Sequence, residues 1–142
     1  MTFLVAYDDS ELSRTALDRA VEFAGEREVV AVTAIPRSPA YARANDWLDA
    51  DEAFDMDAIE ERLRDRVHER QPDVSFEPVR LESAPPLATI GLAVRKAARR
   101  FDADVVFVGS RSAGRLVTNL VSVGQNVATD AGYDVHIVRH PS

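Results

Sequence analysis

Short apolar runs alternate along this chain with longer stretches in which apolar residues recur every three or four positions. Runs of the first kind are typical of buried strands, and stretches of the second kind are typical of helices with one buried face. The predicted strands cover residues 2–7, 28–35, 74–81, 104–108 and 135–138. The predicted helices cover residues 11–24, about 54–70, about 86–100 and about 122–131. Strand and helix therefore alternate from one end of the chain to the other.

This alternation predicts a parallel sheet with helices on both faces, because parallel neighbours need a crossover connection. We expect one α/β domain over residues 1–142 with a five-stranded, mostly parallel sheet. Pro78 cannot donate to a sheet ladder, so the third strand is expected at an edge. Ser10 and Gly25 stand where the first helix should begin and end. Residues 37–53 have no clear period, and we expect a long loop there.

The first strand ends in two acids, Asp8 and Asp9, just before a helix. In parallel sheets, ligands bind beyond the carboxyl ends of the strands, at the point where the strand order reverses. The fourth strand is followed by Gly109 and a polar loop. If the first and fourth strands are neighbours, the turn at Asp8 and the loop after Gly109 line one crevice.

One interpretation of the two acids is a magnesium site for aspartate phosphorylation, since the first strand resembles that of response-regulator receiver domains. Receivers place a phosphoacceptor aspartate after the third strand, but here residues 81–83 read Leu-Glu-Ser. They also place a lysine after the fifth strand, where this chain has Arg139. Two of the three groups needed for that chemistry are missing, so we reject this interpretation.

The carboxyl-terminal segment, residues 108–140, resembles the glycine signature of the universal stress protein family. The opening VAYDDS and the segment FDADVVFVGSR resemble the family's first strand and its approach to the fourth strand. The likeness spans the chain apart from residues 37–57. It implies a Rossmann-like fold of the adenine nucleotide alpha hydrolase type, with strand order 3-2-1-4-5.

The resemblance also implies a nucleotide site that takes ATP or AMP, with magnesium bridging the phosphates. In nucleotide-binding members the aspartate after the first strand meets adenine, and a residue near the end of the second strand lines the base pocket. A glycine loop and a helix N-terminus hold the phosphates, where free backbone N–H groups bind anions. The matching candidates here are Asp8, Ser10, Ala34, Gly109, Arg111, Ser112, Ser122 and Val123.

The chain departs from the family pattern in the phosphate loop. Ser112 stands at the second glycine, and Val121 stands at the third, just before Ser122. An alternative alignment uses Gly114 and Gly124 but loses the serine after the final glycine. Each lost hydrogen bond to a charged phosphate costs about 1.5–3 kcal/mol. We therefore expect a stress-response or regulatory module with weak or absent nucleotide binding, and we keep as the alternative an ATP- or AMP-binding switch with slow hydrolysis.

Several residues have two interpretations. Asp8 either binds the edge of adenine or caps the first turn of the first helix. Asp9 is expected to be a solvated turn residue. Arg111 clamps phosphate or is solvated, and Ser122 contacts phosphate or forms a capping box with Gln125. The aromatic pair Tyr41 and Trp47 covers the crevice as a flap, or packs on the sheet or on a partner. If nucleotide binds, Gly109→Val is expected to abolish binding and leave folding largely intact.

Composition narrows the function further. The net charge of −7 and a pI near 4.9 disfavour nucleic-acid binding by bulk charge. Sixteen of the 17 basic residues are arginine, and an acidic, lysine-poor surface indicates adaptation to high salt. The chain has no cysteine, no leader and no apolar run of membrane-spanning length, so we expect a cytoplasmic protein.

Catalysis and metal binding are not expected. His68, His136 and His140 do not converge, and no serine sits in a nucleophile elbow. The last strand is expected at the outer edge of the sheet, where apolar edges tend to be paired. Members of the family pair this strand with its copy, so we expect a homodimer with Val135, Ile137 and Val138 near the seam.

Overall fold

The computed structural model of the chain describes residues 1–82, 87–110 and 132–141. Its strands are β1 (Thr2–Ala6), β2 (Glu28–Pro36), β3 (Ser75–Leu81), β4 (Ala103–Gly109) and β5 (Asp134–Val138). Its helices are α1 (Glu11–Ala24), α2 (Pro39–Ala44), α3 (Met56–Arg70) and α4 (Leu87–Arg100). The predicted strands and the first three predicted helices are confirmed to within a few residues; the helix expected over 122–131 lies outside the described residues.

The five strands form one parallel sheet in the order β3-β2-β1-β4-β5, which confirms the predicted fold class and strand order. β1 is paired with β2 on one side and with β4 on the other. The sheet therefore grows in opposite directions from β1, and the connections diverge between β1 and β4. That divergence is the switch point at which α/β proteins of this kind bind ligands.

The ends of α1 follow the local sequence. The Ser10 hydroxyl accepts a hydrogen bond from the Ser13 N–H at 3.3 Å, as an N-cap does. Gly25 ends the helix with φ 62°, in the left-handed region that glycine tolerates best. These local signals set the residues at which α1 begins and ends.

Pro78 lies in β3, at the edge of the sheet, as predicted.

Alternation along the strands divides the core between the two faces of the sheet. Phe3 and Val5 of β1 pack on one face with Leu17 of α1. Leu4 packs on the other face with Val94 of α4. Because successive side chains of a strand point to opposite sides, one apolar run supplies both layers.

The prediction of a long loop over residues 37–53 is wrong in part. Ser38 caps the six-residue helix α2 by accepting from the Tyr41 N–H at 3.2 Å. Beyond α2, Trp47 is 1% exposed and Leu48 5% exposed, in what we call the flap cluster. Its buried members are Ile35, Ala42, Trp47, Leu48, Met56, Ile59 and Leu63. A six-residue helix is too short to show a period, and its burial depends on tertiary contacts that the local pattern does not contain.

Burial predicts a clear difference between two leucine truncations. Leu4 of β1 is fully buried, whereas Leu92 of α4 is 40% exposed. Leu4→Ala should lower the free energy of unfolding by about 2–5 kcal/mol, because it leaves a cavity in a packed layer. Leu92→Ala should cost less than about 1 kcal/mol. Urea unfolding of both variants measures the difference, and equal costs would contradict the assignment of β1 to the centre of the sheet.

Candidate functional site

The turn after β1 is built from three consecutive polar residues. One carboxylate oxygen of Asp8 accepts from the Ser10 N–H at 3.0 Å, and the Asp8 N–H donates to the Ser13 hydroxyl at 3.3 Å. Asp8 thus closes an Asx turn that leads into α1, as one interpretation of this residue proposed. The hydrogen bonds also fix the direction in which its carboxylate points.

Asp8 also lines a pocket at the switch point. It therefore caps the turn before α1 and at the same time lies where a ligand could contact it. The empty space there is about 510 Å³, part of it open to solvent. Its walls come from the carboxyl ends of three strands, from the first half of α4 and from α2. The lining residues are Ala6, Tyr7, Asp8, Val32, Ala34, Tyr41, Ile90, Gly91, Val94 and Val108. The pocket is therefore a mostly apolar slot with one acidic residue, Asp8, in its lining.

Two predicted site residues, Asp8 and Ala34, meet in this pocket. Ala34 is 6% exposed, and its small side chain leaves space beside β2. The sequence did not single out Ile90 and Val94 as site residues, although their helical spacing marked them as the buried face of α4. Ser10 lies next to the pocket as the cap of α1 and is not among the lining residues. The candidates Arg111, Ser112, Ser122 and Val123 lie outside the described residues.

Asp9 is not the solvated turn residue that we expected. Its side chain is 11% exposed and accepts from the Tyr7 hydroxyl at 2.7 Å and from Arg66 at 2.6 Å. Arg14 donates to its backbone carbonyl at 2.6 Å. Asp9 also has φ 65°, a left-handed conformation that costs a non-glycine residue about 1 kcal/mol. The partners from α1 and α3 hold it there, and sequence position alone could not indicate them.

Tyr7 supports the turn from within the core. Burial raises the pKa of the Tyr7 phenol well above its usual range, and the hydrogen bond to Asp9 raises that pKa further. The phenol is therefore neutral at physiological pH, with its proton available for the Asp9 carboxylate. This bond ties the end of β1 to the turn.

The segment after α2 is attached directly to the pocket. The Trp47 indole N–H donates to the backbone carbonyl of Asp8 at 2.9 Å. Arg66 bridges to the same region, since it contacts Asp9 and donates to the Asp46 carbonyl at 3.2 Å. Arg62 donates to the Trp47 carbonyl and grips Glu52 with two bonds of 3.0 and 2.7 Å. Both interpretations of the aromatic pair hold, because Trp47 packs in the flap cluster while Tyr41 lines the pocket.

Gly109 has a packing role that the sequence did not show. It is buried at the end of β4, and a Cβ atom placed on it would lie 2.8 Å from Leu12 Cβ and 3.4 Å from the Leu12 carbonyl carbon. Contacts shorter than 3.0 Å force the neighbouring backbone to shift. This glycine therefore allows α1 to approach β4, and Gly109→Val is now expected to destabilise the fold as well as to affect the site.

The last strand lies at the edge of the sheet, but its side chains face inward. Val135 and Ile137 pack against the α4 layer, and Val138 is fully buried in the α1 layer. Within residues 1–82, 87–110 and 132–141, no group of three or more acidic or histidine side chains could hold a metal ion.

A parallel α/β sheet in this order, with a pocket at its switch point, defines a Rossmann-like protein. A model described as the Universal stress protein family matches residues 1–139. The chain belongs to the universal stress protein family.

Similar solved structures share this fold. One is a universal stress protein crystallised with cAMP, 28% identical over 100% of this chain and 98% of the other, with a TM-score of 0.54. A family member from Burkholderia pseudomallei is 23% identical over 99% and 96% of the two chains, with a TM-score of 0.57. One from Archaeoglobus fulgidus, crystallised with dAMP, is 15% identical over 97% and 96%, with a TM-score of 0.51.

A search of the curated proteins found no match. No helix in the described part of the chain has the length and apolar character needed to cross a membrane.

Gly109 provides a test of the packing between α1 and β4. Gly109→Ala should lower the free energy of unfolding by about 1–3 kcal/mol, and Gly109→Val by more, because both overpack the contact with Leu12. Gly25→Ala is a control for backbone strain alone, since a Cβ there meets nothing within 4 Å. It should cost about 1–3 kcal/mol, because Gly25 has φ 62° and ψ −113°, a conformation that residues with a Cβ rarely adopt. Chemical denaturation measures all three, and wild-type stability of Gly109→Val would refute the close approach.

The ion pair between Glu52 and Arg62, which ties the segment after α2 to α3, should weaken in acid. The hydrogen bonds from Arg62, and then the bond from the Asp49 N–H, lower the pKa of the Glu52 carboxyl from 4.5 to about 2. A lowered folded-state pKa stabilises the fold above the unfolded pKa, and the contribution disappears as pH falls from about 4.5 to about 2. The pair is partly exposed, so the effect is modest.

Denaturation midpoints measured between neutral pH and pH 2 test this window. Glu52→Gln should show a smaller loss of stability than wild type across it. Glu61→Gln, at an exposed position of α3, serves as the control and should follow wild type. Parallel curves for wild type and Glu52→Gln would show that the contact with Arg62 does not form in solution.

Proposed function

We propose that this universal stress protein is a regulatory module that binds an adenine nucleotide weakly, mainly through the base. The observation that carries the proposal is the pocket itself, a mostly apolar slot at the switch point of the sheet with the acidic residue Asp8 in its lining. Apolar slots of this kind suit the faces of a planar heterocycle, and an ionised carboxylate accepts hydrogen bonds but donates none. The exocyclic amine of adenine is a donor that satisfies it.

The relative crystallised with cAMP supports this ligand class. It shares 28% identity with the chain over nearly the full length of both proteins. The small residues Ala34 and Gly91 leave room between β2 and α4, and Tyr41 adds an aromatic residue to the walls. A base placed there is held by apolar contact on its faces and by Asp8 at one edge.

The loop that would hold the phosphates is the reason to expect weak nucleotide binding. Ser112 and Val121 replace two glycines of the family signature, and each lost backbone hydrogen bond to phosphate costs about 1.5–3 kcal/mol. The net charge of −7 also opposes a polyanion. We therefore propose that nucleotides with one phosphate bind at least as well as ATP, and that magnesium makes no large difference.

The setting of the protein belongs to the same proposal. We propose a cytoplasmic homodimer that is adapted to high salt. The edge position of β5 supports pairing through the strand backbone, with Val135 and Ile137 beside the seam. The acidic, arginine-rich composition supports the salt adaptation. Light scattering at low and molar salt measures the oligomeric state.

Calorimetric titration tests the proposed ligand. AMP, cAMP and ATP are titrated with and without magnesium, at low and molar salt, and CMP serves as the pyrimidine control. We expect dissociation constants of about 10 μM to 1 mM for the adenine nucleotides, and weaker binding of CMP. Equal heats for CMP and AMP, or none for either, would refute base recognition in the pocket.

Asp8 is the residue to change. Asp8→Asn retains a side-chain oxygen that can accept the Ser10 N–H but loses the carboxylate, and should weaken AMP binding about threefold to tenfold. Asp18→Asn is the matched control, since Asp18 pairs with Arg70 on the opposite layer and does not line the pocket. If both variants bind AMP like wild type, Asp8 does not read the base.

A further inference from the structure

We call residues 37–55 the flap. One side chain of the flap, Trp47, contacts two residues that line the pocket, Asp8 and Tyr41. Trp47 is 1% exposed and donates its indole N–H to the Asp8 carbonyl at 2.9 Å. The Tyr41 ring meets the Trp47 ring edge-on, with centroids 5.5 Å apart and an angle of 66° between the planes. Asp8 and Tyr41 both line the pocket. Trp47 therefore contacts both the turn that carries the carboxylate and the ring that forms the facing wall.

This arrangement does not depend on Trp47 alone. Arg62 donates to the Trp47 carbonyl and binds the Glu52 carboxylate, so both ends of the segment from 47 to 52 are tied to α3. Arg66 binds the Asp9 carboxylate and the Asp46 carbonyl, which lies next to Trp47. The positions of the flap and of the turn after β1 are thus set relative to one another by the same helix.

The chemistry of Tyr41 suits a base. An aromatic ring offers a large rigid surface, and stacking a nucleobase on such a ring is worth several-fold to about a hundredfold in affinity. The side chains that β2 and α4 contribute to the slot are small or aliphatic, among them Val32, Ile90 and Val94. Tyr41 is the aromatic wall that the flap contributes, and it stands apart from the glycine signature of the family.

We propose that Tyr41 is a specificity-determining residue that contacts the base of the bound nucleotide, and that Trp47 is the positioning residue that holds Tyr41 and Asp8 facing the same ligand. The inference rests on the proposed function, because it assigns roles at the same pocket. It adds that base recognition depends on the flap as well as on the strand ends.

The single tryptophan of the chain gives a direct readout. Nucleotide that contacts Tyr41 should change the emission of Trp47, since the two rings touch. We expect a saturable change on titration with AMP, with the same dissociation constant as calorimetry gives. Binding that calorimetry detects and that leaves Trp47 emission unchanged would overturn the contact.

Substitutions then separate contact from positioning. Tyr41→Leu should weaken AMP about fivefold or more, and Tyr41→Phe should bind within about twofold of wild type because the ring is retained. Trp47→Phe keeps a ring in the flap cluster but removes the N–H, and should weaken AMP about threefold to tenfold by calorimetry. CMP binding should change less than AMP binding in Tyr41→Leu.

Leu48→Val is the matched control, because Leu48 is buried in the flap cluster and does not line the pocket. It should lower stability while AMP binding stays within about twofold of wild type. Equal weakening by Leu48→Val and Tyr41→Leu would assign the effect to general loosening of the flap and overturn the specific roles. If wild type binds no nucleotide, the proposed function and this inference fall together; if wild type binds and Tyr41→Leu binds equally well, this inference alone falls.

Discussion

The parallel pairing of β1 with β4 is the constraint on which the site depends. β1 is followed by α1 on one face of the sheet, while α4 on the other face leads into β4. The ends of the two strands therefore meet with no helix crossing between them, and the pocket occupies that gap. The pairing also presses the start of α1 against the end of β4, so closely that Gly109 has no room for a side chain.

The turn after β1 is shaped before any ligand is present. Asp9 adopts a left-handed conformation that costs about 1 kcal/mol, and Tyr7, Arg14 and Arg66 hold it there. Individual hydrogen bonds contribute only about 0.5–1.5 kcal/mol net, but here several of them end on the neighbouring residues Asp8 and Asp9. Because Asp9 is fixed in this way, the adjacent Asp8, which lines the pocket, lies in a turn that loses little freedom when a ligand binds, which is the physical meaning of preorganisation.

The sequence predicted the strands, their order and the location of Asp8 and Ala34, because those features follow from short-range periodicity and from the family resemblance. It missed α2, the buried state of Asp9 and the packing role of Gly109. The reason is physical: Trp47 reaches Asp8 across 39 positions, and Arg66 reaches Asp9 across 57. Contacts of that range follow from how the chain folds back on itself, and no local pattern contains them.

Gly109 shows why a family motif and a binding site must be argued separately. By the family resemblance, Gly109 is a position where the backbone approaches phosphate. However, a Cβ atom at this position would collide with Leu12 Cβ, so the packing of α1 on β4 requires glycine even when no ligand is bound. Its presence therefore says nothing about nucleotide binding. Asp8 is different, since the Asx turn uses one carboxylate oxygen while the residue still lines the pocket. The case for a nucleotide accordingly rests on the mostly apolar slot and the acidic residue in its lining, and the first glycine of the signature adds no weight to it.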